Sequence, residues 1–510
     1  MVKSLLRVAG TVAIATVLSK VIGMVRQLLV AEAFGSGVEY SAFTVAYILP
    51  GFVLILLGGI NGPFHSAMIS ILKKRHEGDP APFIETISSI VGLMLTGVTL
   101  LFVIAARPLV IAFSPGASAA VHDLATTQLQ IMAPLAILSG WIGIGFGTLN
   151  AADRYLLPAI SPILSSVTII VALLLRPDDP MILAWGVLVG GIAQWLIQLP
   201  LQHRLNLGKL RWRWDWHLPE VQAVGRIMLP AVLSSGMIHI NLYTDTFFAS
   251  FIPGDRTIGN LGYAQLLYLT PLGILSNMIL VPLMPLYSRL ALPEHWPELR
   301  IWIRKGLLTT VVTILPCSML FVTLARPLVQ LVYERGAFTP LATQEVAALL
   351  MAYALGMVFY LGRDVMVRIF YALEDSRTPF VISVISIGLN AVLDWFGIQV
   401  FGAPGLAYAT AGVNVFALLV LSIVLHQKLG HWPWQAFCWD SGRIMGITLV
   451  AGAAIWGTTE LTAGNMLLTL VAGGAAGIII YSTGVWLLRL PEVEALLESF
   501  QARFFPATKS

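Results

Sequence analysis

Fourteen stretches of about twenty mostly apolar residues follow one another along this chain of 510 residues: 6–30, 40–62, 84–106, 126–148, 157–175, 181–201, 224–250, 262–286, 305–325, 343–370, 380–398, 404–426, 442–460 and 465–488. A helix rises ~1.5 Å per residue, so ~20 residues cross the ~30 Å of hydrocarbon in a bilayer. Backbone polar groups in lipid must be satisfied within the segment, which leaves helices for stretches of this length. The expected fold is an all-α polytopic membrane protein with fourteen transmembrane helices. With 57% hydrophobic and 11% charged residues, a soluble fold is excluded. Met1 to Arg7 followed by an apolar run resembles a signal peptide. No small-residue cleavage site follows it, so 6–30 is read as the first span.

The chain also repeats itself. Ala106-Arg107-Pro108-Leu109-Val110 returns 219 residues later as Ala325-Arg326-Pro327-Leu328-Val329. The polar turn Asp153-Arg154 with Pro158 returns as Asp375-Ser376-Arg377 with Pro379, and Pro50 returns as Pro271, both prolines at an offset of 221. Three landmarks at nearly one spacing imply two homologous halves of six spans each, as in secondary transporters. The implied organisation is 1–205, 206–428 and an unrepeated appendix of two spans at 429–510.

Basic residues set the orientation. If the N-terminus is cytoplasmic, twenty of the thirty Lys and Arg residues fall on the inner side and five, Arg107, Arg176, Arg256, Arg326 and Arg335, on the outer side. Both termini are therefore expected inside. The net charge of +4 is explained by those loops and not by nucleic acid. The Trp-rich connectors Arg211-Trp212-Arg213-Trp214-Asp215-Trp216, Ile301-Trp302-Ile303-Arg304 and His431-Trp432-Pro433-Trp434 lie on the same side and read as headgroup anchors in the phospholipid bilayer. Gly208-Lys209 is followed by Leu210, so there is no Walker-type phosphate loop, and neither ATP hydrolysis nor another enzymatic activity is expected. Cys317 and Cys438 show no metal or disulfide pattern.

Five basic residues remain inside the spans: Lys20, Arg26, Arg226, Arg363 and Arg368. A charge at mid-bilayer costs ~3 kcal/mol or more, so it faces a cavity or a partner. Arg226 begins its helix and reaches the surface by snorkelling, and Arg368 lies near enough to its helix end for the same reading. Lys20 and Arg26 lie ~21 Å and ~30 Å along the first helix, too deep to turn back inward. Either they line an anion site, or they pair with an acid such as Glu32, Glu39 or Asp364. Asp364 beside Arg363 is a structural pair or part of a cavity. Asp245, Asn390, Asp394 and Thr410 fall at similar depth on three helices, with Asn390 and Asp394 at i and i+4 on one face. Such an all-oxygen set suits a hard cation such as sodium, or a proton. The alternative is that each acid meets its own helix-end partner.

Three segments carry a resemblance: Ser19-Lys20-Val21-Ile22-Gly23-Met24-Val25-Arg26, Tyr333-Glu334-Arg335-Gly336-Ala337-Phe338-Thr339, and Arg368-Ile369-Phe370-Tyr371-Ala372-Leu373 with Asp375-Ser376-Arg377-Thr378-Pro379. The chain resembles the MurJ (MviN) family of lipid II flippases, in the multidrug/oligosaccharidyl-lipid/polysaccharide exporter superfamily, along essentially its whole length. That resemblance implies a V-shaped pair of six-helix lobes around a cationic cavity, with the last two helices forming a lipid-tail groove. It implies a monomer in the bacterial inner membrane, moving undecaprenyl-pyrophosphate-linked disaccharide-pentapeptide from the inner to the outer leaflet by alternating access. Lys20 and Arg26 match cavity-facing basic positions of the family, and Arg363 and Arg368 join them as substrate-binding candidates. Asp245, Asn390, Asp394 and Thr410 match a sodium site of some members. No other cofactor is implied.

Some family features are missing. Where members carry arginines after the proline of the second helix, this chain has the uncharged run from Gly51 to Phe64. An acidic position of that helix is Ser41, and an Asp-Arg pair of the eighth helix is Gln265-Leu266. Two other readings therefore stand beside the flippase: a carrier of another polyprenyl-linked glycan or a cation-coupled drug antiporter of the same superfamily, and a non-transporting scaffold for the cell-wall machinery.

Overall fold

A computed structural model describes residues 2–59, 63–74, 79–209, 211–430, 434–462 and 464–489. Among these residues the chain is all helix and turn, without strands. Its contacts divide it into two compact units, residues 1–259 with 335–339, and residues 260–334 with 340–510.

The first unit holds α1 (Val2–Phe34), α2 (Val38–Gly58), α3 (Pro63–Lys74), α4 (Ala81–Ile104), α5 (Ala106–Phe113), α6 (Ala119–Met132), α7 (Leu135–Ala151), α8 (Leu156–Ile160), α9 (Pro162–Leu175), α10 (Ile182–Leu196), α11 (Leu199–Arg204) and α12 (Pro219–Ala249). Most of the second is built from α13 (Arg256–Arg289), α14 (Trp296–Thr323), α15 (Ala325–Tyr333), α16 (Pro340–Ala372), α17 (Arg377–Phe401), α18 (Pro404–Leu429), α19 (Trp434–Leu461) and α20 (Met466–Leu487).

Eleven segments, in places two short helices taken together, are long and apolar enough to cross a membrane, and the pair α6 and α7, bent by 41°, makes a twelfth. The remaining two of the fourteen expected spans, 6–30 and 224–250, coincide with α1 and α12. These have 33 and 31 residues, ample length for a crossing, but their side chains lie partly outside the described residues. The described residues thus establish eleven or twelve apolar spans, and the number fourteen is not reached on that criterion.

Prolines explain where the repeats agree and where they part. Pro108 and Pro327 have no N–H to offer the carbonyls four residues back, at Ile104 and Thr323, and those residues end α4 and α14. A short helix follows in each case, α5 or α15, so the repeated Ala-Arg-Pro-Leu-Val is a helix of its own and not merely a loop between spans. Further on, Pro134, Pro162 and Pro200 fall at the breaks between α6 and α7, α8 and α9, and α10 and α11. An offset of 221 puts Leu355, Ser383 and Leu421 at the matching positions, and there α16, α17 and α18 run unbroken.

The polar turn repeats down to single hydrogen bonds. At the end of α7 the Arg154 N–H donates to the Leu149 carbonyl and the Asp153 N–H to the Asn150 carbonyl, at 2.8 and 3.1 Å. After α16 the Asp375 N–H donates to Phe370 and the Glu374 N–H to Tyr371, at 2.9 and 3.1 Å. Both are Schellman caps, with Asp153 at φ +58° and Glu374 at φ +59°.

Candidate functional sites

In the first unit, Lys20 is exposed on α1 and Arg26 is half-buried, and neither makes a salt bridge among the described residues. The Arg26 charge lies near enough to act on the hydroxyls of buried Tyr40 and half-buried Tyr47 on α2. Beside it, Gln27 donates its amide N–H to Tyr40 Oη at 2.6 Å. What fixes the far end of α1 is the segment 335–339. Ala337 donates its N–H to the Glu32 carbonyl at 2.8 Å, and Phe338 is buried. Two glycines permit the contact, Gly35 at φ +56° and Gly336 at φ +53°. A Cβ on Gly336 would lie 2.3 Å from the Glu32 oxygen, and one on Gly35 would lie 2.4 Å from the Ala337 oxygen. The Glu-Arg-Gly-Ala-Phe-Thr motif thus secures the helix that carries Lys20 and Arg26.

Ser41, in place of an acid, is fully buried and structural. Its hydroxyl donates to the Asp255 carbonyl and accepts the Gly259 N–H at 3.3 Å. Asp245, on α12, is a buried acid of this same unit, 3% exposed.

In the second unit, Arg363 donates to its neighbour Asp364 at 3.0 Å and lies over the Tyr360 ring at 4.9 Å. The acid is thereby engaged by the adjacent guanidinium. Arg368, one turn later, is exposed. Gln265 donates to Tyr353 Oη at 3.2 Å, and Tyr353 stacks on Tyr268 with ring centres 4.5 Å apart. The missing Asp-Arg pair of α13 is therefore replaced by helix packing.

Three cation candidates of this unit lie on α17 and α18, whose contact forms a seam in which Asn390 and Asp394 touch. On α17 the buried residues are Pro379, Ile382, Ser386, Asn390 and Asp394, a stripe three and four residues apart facing mainly α18. Asn390 and Asp394 are both 0% exposed, and the Asn390 amide donates to Asp394 Oδ2 at 2.7 Å. On α18, Thr410 is half-buried; its hydroxyl donates to the Leu406 carbonyl at 3.2 Å, and its carbonyl accepts from Asn414 at 2.7 Å. The two backbones close tightly further along: a Cβ on Gly405 would come within 2.1 Å of the Gly397 oxygen. Carboxylate and amide oxygens at a buried contact fit the ligand preferences of a hard cation or a proton. Among the described residues no three His, Cys, Asp or Glu side chains converge, so a transition-metal centre has no ligand set here.

Sequence reasoning missed Glu85, a buried acid on α4. It accepts the Lys209 N–H at 3.0 Å and lies 4.0 Å from Arg213. One turn on, Ser89 Oγ accepts the Arg213 N–H at 3.1 Å and donates to the Arg211 carbonyl at 3.4 Å. The basic connector is strapped to α4 in this way, with Trp212, Trp214 and Trp216 left exposed. A charge inside a span without an obvious partner was the available signal. The two polar turns also carry matched ion pairs, Lys73 with Asp153 at 3.6 Å and Lys428 with Asp375 at 2.9 Å. A hydrogen bond from Tyr155 holds the Asp153 carboxyl below its usual range. Burial pushes Asp375 up, but the Thr378 N–H and hydroxyl and the Lys428 ammonium outweigh it and hold that carboxyl low.

Comparison with known proteins agrees with this architecture. The family model described as lipid II flippase MurJ matches residues 30–473. A probable lipid II flippase MurJ of Synechocystis sp. is 44% identical over 98% of both chains, and one of Vibrio cholerae is 28% identical over 89% of both. Among solved structures, a lipid II flippase MurJ in an inward closed conformation superposes with a TM-score of 0.78 at 23% identity, covering 94% of this chain and 98% of the other. An inward-facing multidrug resistance MATE family transporter of the MOP superfamily follows at 0.65 and 13%, covering 81% of this chain and 94% of that one. With the family model spanning most of its length, this multi-pass membrane protein belongs to the MurJ family.

Proposed function

We propose that this chain moves lipid II, the undecaprenyl-pyrophosphate-linked disaccharide-pentapeptide, from the inner to the outer leaflet of the bacterial plasma membrane. The observation that carries this reading is the 44% identity, end to end, to a probable lipid II flippase. The same reading makes the chain a transporter and not an enzyme, working as a monomer by alternating access with both termini inside. The lobes 1–205 and 206–428 supply the moving parts, and 429–510 the lipid-tail groove. Membrane potential or a cation gradient drives it.

The residues have distinct tasks in this scheme. Lys20 and Arg26 present positive charge from α1 to the diphosphate, where low dielectric strengthens the attraction. Arg363 and Arg368 add cationic contacts in the second unit, with the Arg363 charge partly neutralised by Asp364. Asn390, Asp394 and Thr410 on α17 and α18 take a sodium ion or a proton, and Asp245 on α12 is a further acid for that cation. Binding there removes a buried negative charge and so biases how α17 packs on α18.

The test is lipid II exposure on the outer leaflet of bacteria depleted of their own flippase and expressing this chain. Exposure should return to the level of the native strain, and Arg26→Ala should reduce it at least tenfold while the protein still inserts. Background exposure from a well-expressed chain refutes the assignment. The uncharged run from Gly51 to Phe64 favours a second reading, another polyprenyl-linked glycan, which that negative result would support.

A further inference from the structure

The first turns of α14 and α19 border an open cavity of about 510 Å³ lined by Pro297, Arg300, Ile301, Arg304 and Ala436. The four α14 residues fall at i, i+3, i+4 and i+7, so one helix face forms that wall. Arg300 donates a terminal guanidinium N–H to the Leu429 carbonyl, at the end of α18. Its Nε is buried with no acceptor among the described residues. Gly430, at φ +74°, leaves room for that guanidinium: a Cβ there would lie 3.2 Å from it.

Among the described residues, the charges around the cavity do not cancel. Arg304 donates to the Asp440 carboxylate, and Arg443 approaches the same carboxylate at 3.7 Å. Among the described residues one acid thus serves two guanidiniums, while Arg300 meets a neutral carbonyl. Lys305 adds a cation over the Trp302 ring at 4.7 Å. Two further described acids at the start of this segment are engaged elsewhere: Glu298 accepts the Trp302 indole N–H at 3.4 Å, and Glu294 lies 3.9 Å from His295.

Depth decides what anion reaches this place. At 28 residues, α14 is ~42 Å long against ~30 Å of hydrocarbon, and its charges all lie in the first ten residues. Trp296 precedes them and Trp302 lies among them, as aromatic residues do at headgroup level. Ile301, between the two arginines, is 56% exposed and offers an apolar contact beside the cationic wall. A free ion would gain nothing from Ile301, whereas a phosphate attached to acyl chains would. We infer that the cavity between α14 and α19 binds the phosphate of an anionic phospholipid of the adjacent leaflet, bridging Arg300 and Arg304 and holding the base of α19 against α14.

The experiment is native mass spectrometry of the full chain in detergent, titrated with phosphatidylglycerol or phosphatidylcholine, in the wild type and in Arg300→Gln, Ile301→Glu and Ile301→Lys. Phosphatidylglycerol should bind the wild type saturably and phosphatidylcholine should not. Each unit of positive charge lost at headgroup level lowers affinity about fivefold, so Arg300→Gln and Ile301→Glu should each weaken binding by that factor and Ile301→Lys should tighten it. Ile301 is exposed and makes no hydrogen bond through its side chain, so its variants keep the test valid if Arg300→Gln does not fold. Equal affinity in all the proteins overturns the site. Displacement of phosphatidylglycerol by millimolar inorganic phosphate overturns it in favour of a free anion, and displacement by equimolar undecaprenyl phosphate in favour of the transported lipid.

Discussion

Gly336 shows how a single position can hold a large structure in place. Its left-handed backbone and its closeness to the Glu32 carbonyl leave no volume for a side chain. Gly336→Ala should cost about 1–3 kcal/mol, visible as a fall of several degrees in the melting temperature of the purified protein, because it combines strain at positive φ with a displaced hydrogen bond. Asp375 makes a different prediction. Its carboxyl titrates below the ordinary value of 3.8 in the folded protein, so its stabilisation is complete above that value and is lost as pH falls through the depressed one. Asp375→Asn should therefore lower the melting temperature at pH 7, and the difference from wild type should shrink as pH falls below 3.8.

Among the elements, α17 is unusual in that its buried stripe turns polar along its length, from Ile382 to Ser386, Asn390 and Asp394. In lipid a helix face of this kind persists only against a polar partner or a water-accessible path. Asp394→Asn removes the charge and keeps the shape, so the seam should still close. If a cation is held there, half-maximal stimulation of transport should need about tenfold more sodium, equivalent to ~1.4 kcal/mol. An unchanged sodium response in reconstituted vesicles would remove Asp394 from the coupling site. The same scale explains why the first copy of the repeat is built from shorter pieces. Pro134, Pro162 and Pro200 interrupt backbone hydrogen bonding where Leu355, Ser383 and Leu421 allow it.

Over the whole molecule, the distribution of Lys and Arg predicts which side each connector faces. The chain has two cysteines, Cys317, half-buried in α14, and Cys438, exposed in the first turns of α19. A membrane-impermeant maleimide should therefore label Cys438 in inside-out vesicles and leave it unlabelled in intact spheroplasts. Labelling from outside would reverse the proposed orientation.

The class of fold was legible in the order of residues, because period, length and proline placement are local properties. About twenty apolar residues can only be a helix in lipid, and a proline ends or bends a helix at its own position. Asn390 and Asp394 were legible as neighbours for the same reason, since i and i+4 share a face in any helix. Packing set the contacts between elements far apart in sequence. It assigned Ser41 to the loop at Asp255, Glu85 to the connector at Lys209, and the Gly336 motif to the end of α1. Such contacts depend on which faces meet after folding, and no spacing along the chain encodes that. A polar residue in an apolar span reads alike in sequence whether it holds a ligand or a neighbouring backbone, and only the packed partner tells the two apart.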